Sequence, residues 1–150
     1  MRLLLLGCTG FVGKELVPTL FNENHEISII SRKPIHKLKL NISSNKFKFL
    51  QIDLSKKQNW KDKKFLSILK DSDGIINLIG EPIAEKKWTN SQKQEIENSR
   101  IDTTRFLMNS LKNLKINPKV IINGSAIGYY GTSLSEEFTE NSNGGKDFLA

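Results

Sequence analysis

Five short apolar runs recur along the chain and are separated by longer polar or mixed stretches. They cover residues 2–6, 26–31, 47–52, 74–79 and 119–123. Most of them are continuously apolar rather than alternating, which is typical of strands buried on both faces of a parallel sheet. The pattern therefore predicts five β-strands within this sequence.

Helical periodicity fills several of the intervals between these runs. Apolar residues at helical spacing predict a helix over 13–21, with Pro18 as a candidate kink, and a longer helix over 89–114. Thr89 is the predicted N-cap of the longer helix, because its hydroxyl can accept an otherwise unpaired backbone N–H. A weaker pattern predicts a further helix over 55–70.

Strands that alternate with helices indicate a single α/β domain over residues 1–150, a length typical of one domain. The expected fold is a Rossmann-like, doubly wound parallel sheet built from right-handed crossovers. A fold of this kind binds its ligand outside the carboxyl ends of the central strands.

A glycine-rich turn follows the first predicted strand. Gly7, Gly10 and Gly13 fall between that strand and the first helix, where backbone N–H groups and the helix dipole favour an anion. In a dinucleotide fingerprint the three glycines serve the tight turn, the approach of the pyrophosphate and helix packing, respectively. The predicted cofactor-binding residues of this turn are Gly7, Thr9, Gly10, Phe11, Val12 and Gly13. The alternative is a purely structural turn.

The end of the second strand predicts which dinucleotide is bound. A site for NAD places an acidic residue there to bind the ribose 2′-hydroxyl. This chain has Ser31, Arg32 and Lys33 instead, and a guanidinium binds phosphate through paired hydrogen bonds. We therefore expect Ser31 and Arg32 to contact NADP, with NAD as the alternative cofactor and a solvent-facing basic loop as the non-binding interpretation.

The composition limits the other classes of function. The net charge of +7 is typical of proteins that bind nucleic acid. The lysines are scattered, however, and the densest cluster, residues 56–64, is typical of a solvent-exposed surface. The single cysteine excludes an intrachain disulfide and fits a reducing cytoplasm, and one cysteine with two separated histidines argues against zinc. No apolar run is long enough to cross a membrane.

Several motifs together resemble a known family. They are GCTGFVG (7–13), SRKP (31–34), NLIGEPIA (77–84), KWT (87–89) followed by SRIDTT (99–104), and SAIGYYG (125–131). In this order they are similar to the short-chain dehydrogenase/reductase superfamily, and within it to its atypical, NAD-dependent epimerase/dehydratase-like branch.

The resemblance implies roles for residues after the third, fourth and fifth strands. Asp53, beside Leu54, would contact the adenine, although it could instead begin a turn. Gly80 would line the cofactor groove, with Asn77 shaping the turn before it. Ser125 would hydrogen-bond a substrate oxygen, or would only form a turn.

The chain also departs from the pattern that the superfamily usually shows. It contains no Tyr-x-x-x-Lys pair, and Arg100 falls at a helix position where typical members keep an asparagine. Tyr130 is the candidate proton donor, and the alternative is that Tyr129 and Tyr130 pack the loop over the cofactor. Family members are considerably longer, so we expect strands one to five only, truncated before the substrate-binding half, and no turnover by this chain alone.

The leading hypothesis is an NADP-binding, epimerase-like oxidoreductase that acts on a small hydroxyl or carbonyl compound such as a nucleotide sugar. A second hypothesis keeps the cofactor without catalysis, as an NADP(H)-sensing regulatory protein, and is favoured by the missing Tyr-x-x-x-Lys. A third is a nucleic-acid binder, which the scattered lysines disfavour.

Overall fold

A sheet of five parallel strands forms the centre of the molecule, in the order β3-β2-β1-β4-β5. The computed structural model describes residues 1–37 and 45–150. The strands are β1 (Arg2–Leu6), β2 (Glu26–Ser31), β3 (Phe47–Gln51), β4 (Gly74–Asn77) and β5 (Val120–Asn123). All five predicted strands are confirmed, the last three being one or two residues shorter than expected.

Within the described residues, three α-helices lie between strands: α1 (Phe11–Asn22), α2 (Lys63–Asp71) and α3 (Asn90–Leu114). Helix α1 begins two residues before the predicted start and continues through Pro18. Helix α3 confirms the predicted N-cap, since Thr89 Oγ1 accepts a hydrogen bond from the Gln92 N–H at 3.2 Å.

The continuous helix predicted over 55–70 is wrong. A short 3₁₀ helix, Lys57–Lys61, comes first, and α2 begins only after Asp62. Asp62 has an extended backbone (ψ 130°), and its carboxylate accepts the N–H of Phe65 at 2.9 Å. The aspartate caps a new helix at this point, so the chain forms two short segments rather than one.

Side chains alternate across the sheet into two separate cores. Leu4 and Leu6 face the side covered by α2 and α3, where they pack with Phe65, Leu107 and other buried residues. Leu3 and Leu5 face the opposite side, where Val17 of α1 packs on them. Burial on both faces explains the continuously apolar sequence of β1.

From β1 the chain adds β2 and β3 on one side of the sheet. It then crosses back and adds β4 and β5 on the other side of β1. This reversal opens a crevice at the carboxyl ends of β1 and β4, the place where doubly wound folds bind ligands. Within residues 1–37 and 45–150, no helix combines the length and the apolarity that crossing a membrane would require.

Candidate dinucleotide-binding site

Two adjoining cavities lie at the carboxyl ends of the strands. The smaller has a volume of about 280 Å³ and the larger about 750 Å³. Both are lined by Gly7, Gly10, Leu78 and Ile79, so they form one continuous groove over the glycine turn. The topological switch point of the sheet therefore carries a concave surface, as the fold class leads us to expect.

Two of the three glycines are required by the packing of the protein itself. Gly7 has a positive φ of 71°, and a Cβ there would lie 2.5 Å from the backbone nitrogen of Ile79. A Cβ at Gly13 would overlap the carbonyl group of Cys8. Cys8 is itself buried, and burial raises the pKa of its thiol to about 12. Gly7 and Gly13 thus bring β1, α1 and the loop after β4 into close contact.

Gly10 differs from the other two glycines. Its own chain neighbours aside, no atom of the described residues lies within 4 Å of the position that a Cβ would take there. Gly10 is the N-cap of α1 and has no side chain to cap the helix, and the first turn contains no acidic residue. The N–H groups at the start of α1 therefore remain available to an anion in the groove.

The other two helices begin differently. Asp62 caps α2 and Thr89 caps α3 through side-chain oxygens. Only the helix whose N-terminus lines the groove lacks such a cap among the three described. The start of α1 therefore keeps uncapped N–H groups, an arrangement that suits a negatively charged group.

The basic end of the groove follows β2. The side chain of Arg32 is 63% exposed, and its Nη2 lies 3.9 Å from Oε2 of Glu81, which also lines the larger cavity. The N–H of Lys33 donates to Ser31 Oγ at 3.0 Å, which fixes the turn that carries both cations. A hydrogen bond from Lys86, at 2.9 Å, holds the pKa of Glu81 below its usual value.

Asp53 begins a turn and also lines the larger cavity. Its Oδ1 accepts both the hydroxyl (2.7 Å) and the N–H (3.1 Å) of Ser55. Partial burial raises the pKa of Asp53, but these hydrogen bonds, with nearby Lys56 and Arg32, outweigh it and hold the pKa below its usual value. The carboxylate is therefore ionised at neutral pH. The turn expected at Asp53 is present, and its contact with an adenine stays a prediction.

Asn77 lies behind the groove rather than on its surface. It is buried, its Nδ2 donates to Asn123 Oδ1 at 2.7 Å, and its Oδ1 accepts the N–H of Ile79 at 3.3 Å. The side chain thus shapes the turn after β4 and joins it to β5. Leu54 is also buried and lines the larger cavity, and its carbonyl accepts the indole N–H of Trp60 at 2.8 Å.

The two candidate catalytic residues line neither cavity. Ser125 is exposed two residues after the end of β5. The ring of Tyr130 stacks on Phe138 at 5.5 Å between centroids and meets the ring of Tyr129 edge-on at 5.1 Å. The rings of the two tyrosines therefore pack on each other and on Phe138, while the expectation that they cover a cofactor stays a prediction.

The structure brings most of the predicted cofactor residues together. Those that line the groove are Gly7, Thr9, Gly10, Phe11, Val12, Gly13, Ser31, Arg32, Asp53, Leu54 and Gly80. Sequence reasoning did not assign a cofactor role to α3, yet Ser99, Arg100 and Thr103 also line the groove. The spacing could have predicted this, because Thr103 lies four residues after Ser99 and three after Arg100, and residues at those spacings share a helix face.

The fold and the groove together define a Rossmann-like, nucleotide-binding protein of the short-chain dehydrogenase/reductase type. A family model described as the NAD dependent epimerase/dehydratase family matches residues 3–146. The chain belongs to this family, and the resemblance drawn from its motifs is confirmed.

Individual relatives agree with this assignment. The chain is 34% identical over 152 residues to the chloroplastic homologue of epimerase family protein SDR39U1 from Arabidopsis thaliana. It is 34% identical over 151 residues to epimerase family protein YfhF from Bacillus subtilis. The alignments cover 100% of this chain but 41% and 46% of those proteins, so the chain spans less than half of their length.

A solved structure extends the comparison to three dimensions. The crystal structure of human epimerase family protein SDR39U1 (isoform 2) with NADPH superimposes with a TM-score of 0.71 at 27% sequence identity. The superposition covers 99% of this chain and 45% of the human chain. The fold predicted from the sequence is therefore shared with a structurally characterised relative.

Proposed function

We propose that residues 1–150 bind NADP as the dinucleotide-binding unit of an epimerase/dehydratase-like oxidoreductase. Its substrate would be a small hydroxyl or carbonyl compound, with nucleotide sugars as the candidate class. The observation that carries this proposal is Gly10. The packing of the described residues does not require a glycine there, and the bare backbone lines the groove at an uncapped helix N-terminus.

The residues along the groove suit the successive parts of a dinucleotide. The N–H groups at the start of α1 would hold the pyrophosphate over Gly10. Ser31 and Arg32 would hold the adenosine ribose and its 2′-phosphate, while Asp53 and Leu54 would line the adenine pocket. When bound, the nicotinamide supplies hydride transfer, which the protein itself cannot perform.

The choice of NADP over NAD rests on charge. Arg32 and Lys33 follow β2, where a site for NAD would carry an acidic residue. The human relative was solved with NADPH, which supports the same choice. Glu81 lies 3.9 Å from Arg32, so a bound 2′-phosphate would replace this carboxylate as the nearest partner of the guanidinium.

A Gly10→Ala variant tests the site without disturbing the fold. Its methyl group contacts no other part of the described protein, so the free energy of unfolding of the variant should stay within about 1 kcal/mol of the wild type's. The same methyl group stands where the pyrophosphate would lie, so affinity for NADPH and NADH should fall at least about tenfold, which is 1.4 kcal/mol. Isothermal titration calorimetry measures both affinities, and unchanged binding would overturn the proposal.

An Arg32→Ala variant tests the choice of cofactor. Loss of a charge-assisted hydrogen bond to the 2′-phosphate should lower the affinity for NADPH about 10- to 100-fold and leave the affinity for NADH unchanged. Lys48→Ala is the matched control, since it removes one positive charge from an exposed position on β3 outside both cavities. Equal affinity of the wild type for the two cofactors would contradict the preference for NADP.

A second candidate function is cofactor binding without turnover, as in an NADP(H)-sensing protein. The positions of Ser125 and Tyr130, outside both cavities, favour it. In the first proposal Ser125 orients the substrate oxygen and Tyr130 donates a proton. Oxidation of NADPH in the presence of a panel of carbonyl compounds separates the two, because the sensing protein would bind NADPH without consuming it.

A further inference from the structure

Arg100 is a cation in the groove that makes no ion pair with the described residues. It lines the smaller cavity together with Gly7, Gly10 and Gly13, on the side formed by α3. Among the residues that the structure describes, no carboxylate lies within ion-pair distance of its guanidinium. An anionic ligand would form strong, charge-assisted hydrogen bonds with such a group.

The guanidinium is held in place through one of its nitrogens. Nη1 donates to the carbonyl oxygens of Glu81 (3.1 Å) and Ile96 (3.1 Å) and to Ser99 Oγ (3.3 Å). Nη2 and Nε make no hydrogen bond to the described part of the chain. Part of the planar donor set is therefore anchored, and the rest is available to a ligand.

The neighbouring loop is built to admit this side chain. A Cβ at Gly80 would lie 3.1 Å from both Cζ and Nη2 of Arg100, so the absence of a side chain at Gly80 makes room for the guanidinium. The N–H of Glu81 also donates to Ser99 Oγ at 2.8 Å. The loop after β4 is thus joined to α3 next to Arg100.

We propose that Arg100 binds the pyrophosphate of the dinucleotide, opposite the N-terminus of α1. This inference rests on the proposed function and adds to it a cation from α3. The cavity that Arg100 shares with all three glycines favours the pyrophosphate over a phosphate of the substrate. Arg100 thereby contributes to affinity for NADPH and NADH alike, whereas Arg32 distinguishes between them.

The first test is an Arg100→Gln variant, titrated with NADPH, NADH and adenosine 2′-monophosphate. The affinity for both dinucleotides should fall about 10- to 100-fold. The monophosphate has no pyrophosphate and should bind as it does to the wild type. The matched control is Lys112→Gln, an equal charge change in α3 about 18 Å further along the helix axis. Its affinities should be those of the wild type.

A second variant tests the position of the Arg100 guanidinium rather than its charge. Gly80→Ala keeps the charge but displaces the guanidinium, so it should weaken both dinucleotides by less than Arg100→Gln does. The double variant Gly80→Ala/Arg100→Gln should be no weaker than Arg100→Gln alone, because both changes act through one group. Additive losses would show that Gly80 acts independently of Arg100.

The outcomes separate this inference from the proposed function. Wild-type protein that binds neither dinucleotide overturns both. Wild-type protein that binds NADPH, with an Arg100→Gln variant of unchanged affinity, overturns only the role of Arg100. Equal weakening of all three ligands places Arg100 at the adenosine end, which also overturns the inference.

Discussion

Strands β4 and β5 have nearly the same sequence, Gly-Ile-Ile-Asn and Val-Ile-Ile-Asn, and they pair residue by residue. Their surroundings differ greatly. Ile75 and Ile76 of β4 are 0% and 7% exposed, whereas their partners Ile121 and Ile122 of β5 are 37% and 50% exposed. The apolar pattern specifies the strand, but the elements packed around it determine how much stability each isoleucine contributes.

The two asparagines at the ends of these strands extend the comparison. Asn77 is buried and Asn123 is exposed, yet one hydrogen bond of 2.7 Å joins their side chains. The backbone follows the same course, since the N–H of Gly124 donates to the carbonyl of Asn77 at 2.8 Å. The groove is therefore supported by a contact between a buried strand and an exposed one.

The largest effect is expected from Ile75→Ala. The side chain packs in the core on the α2 and α3 side of the sheet, so its truncation leaves a cavity and should lower the free energy of unfolding by about 2–5 kcal/mol. Ile121→Ala is the matched control and should cost about 0.5–1.5 kcal/mol, because that side chain already contacts solvent. Urea denaturation measures both, and equal losses would contradict the comparison.

Asn77→Ala should have the next largest effect. It removes the acceptor of the Ile79 N–H and the partner of Asn123, and we expect a loss of about 1–3 kcal/mol in unfolding free energy. Asn123→Ala should also destabilise, because it leaves the buried Nδ2 of Asn77 without that partner. A double-mutant cycle measures the coupling, and strictly additive losses would show that the amide contact contributes nothing.

We expect the stability of the amino ends of β1 and β4 to depend on pH through Asp73. Hydrogen bonds from the side chain (3.0 and 3.3 Å) and the N–H (2.9 Å) of Arg2 hold the pKa of Asp73 below its usual value. Because the folded-state pKa is depressed, the contribution to stability is complete above the unfolded pKa of about 3.9 and is lost as pH falls below it.

Asp73→Asn should therefore lower the melting temperature at pH 7 and flatten its decline below about pH 4. Melting curves of wild type and variant between pH 2 and pH 7 provide the measurement. Asp71→Asn, an exposed neighbour at the end of α2, serves as the control. A variant whose melting temperature declines as steeply as the wild type's in acid would show that Asp73 is not the responsible group.

The smallest effect on stability is expected from Ile122→Lys. Half of this side chain is exposed, and β5 pairs only with β4 among the described strands, so the change should stay within about 0.5 kcal/mol. A lysine on an exposed edge strand opposes edge-to-edge pairing. Sedimentation velocity at high concentration should therefore show no more self-association for the variant than for the wild type. A large loss of stability would show that β5 is more tightly packed than its exposure indicates.

Some features were predictable because they depend on nearest neighbours in the sequence. Short apolar runs, most of them continuous, predicted β1 to β5, and a hydroxyl before a helical pattern predicted the cap at Thr89. The cap at Asp62 was missed because it forms only if the chain turns at that residue, and the apolar pattern does not show a turn. The helix over 55–70 was consequently predicted as one piece.

The candidate site was predictable where it lies on the glycine turn and at the ends of β2 and β3. Strand ends of a parallel sheet meet at one edge, so their residues converge once the order of strands is known. Arg100 could not be assigned in this way, since its position over the groove depends on how α3 packs and on the bare Cα of Gly80. Its contacts join parts of the chain that are about twenty residues apart.

The sequence by itself determined the strands, the glycine turn, the basic end of β2 and the family to which the chain belongs. These follow from local stereochemistry and from short motifs, which act over a few residues. Only the tertiary structure decided that Gly7 and Gly13 serve packing while Gly10 faces open space, and that β4 is buried while β5 is not. Burial and close approach depend on which surfaces meet, and that is settled by the packing of the whole chain rather than by any one segment.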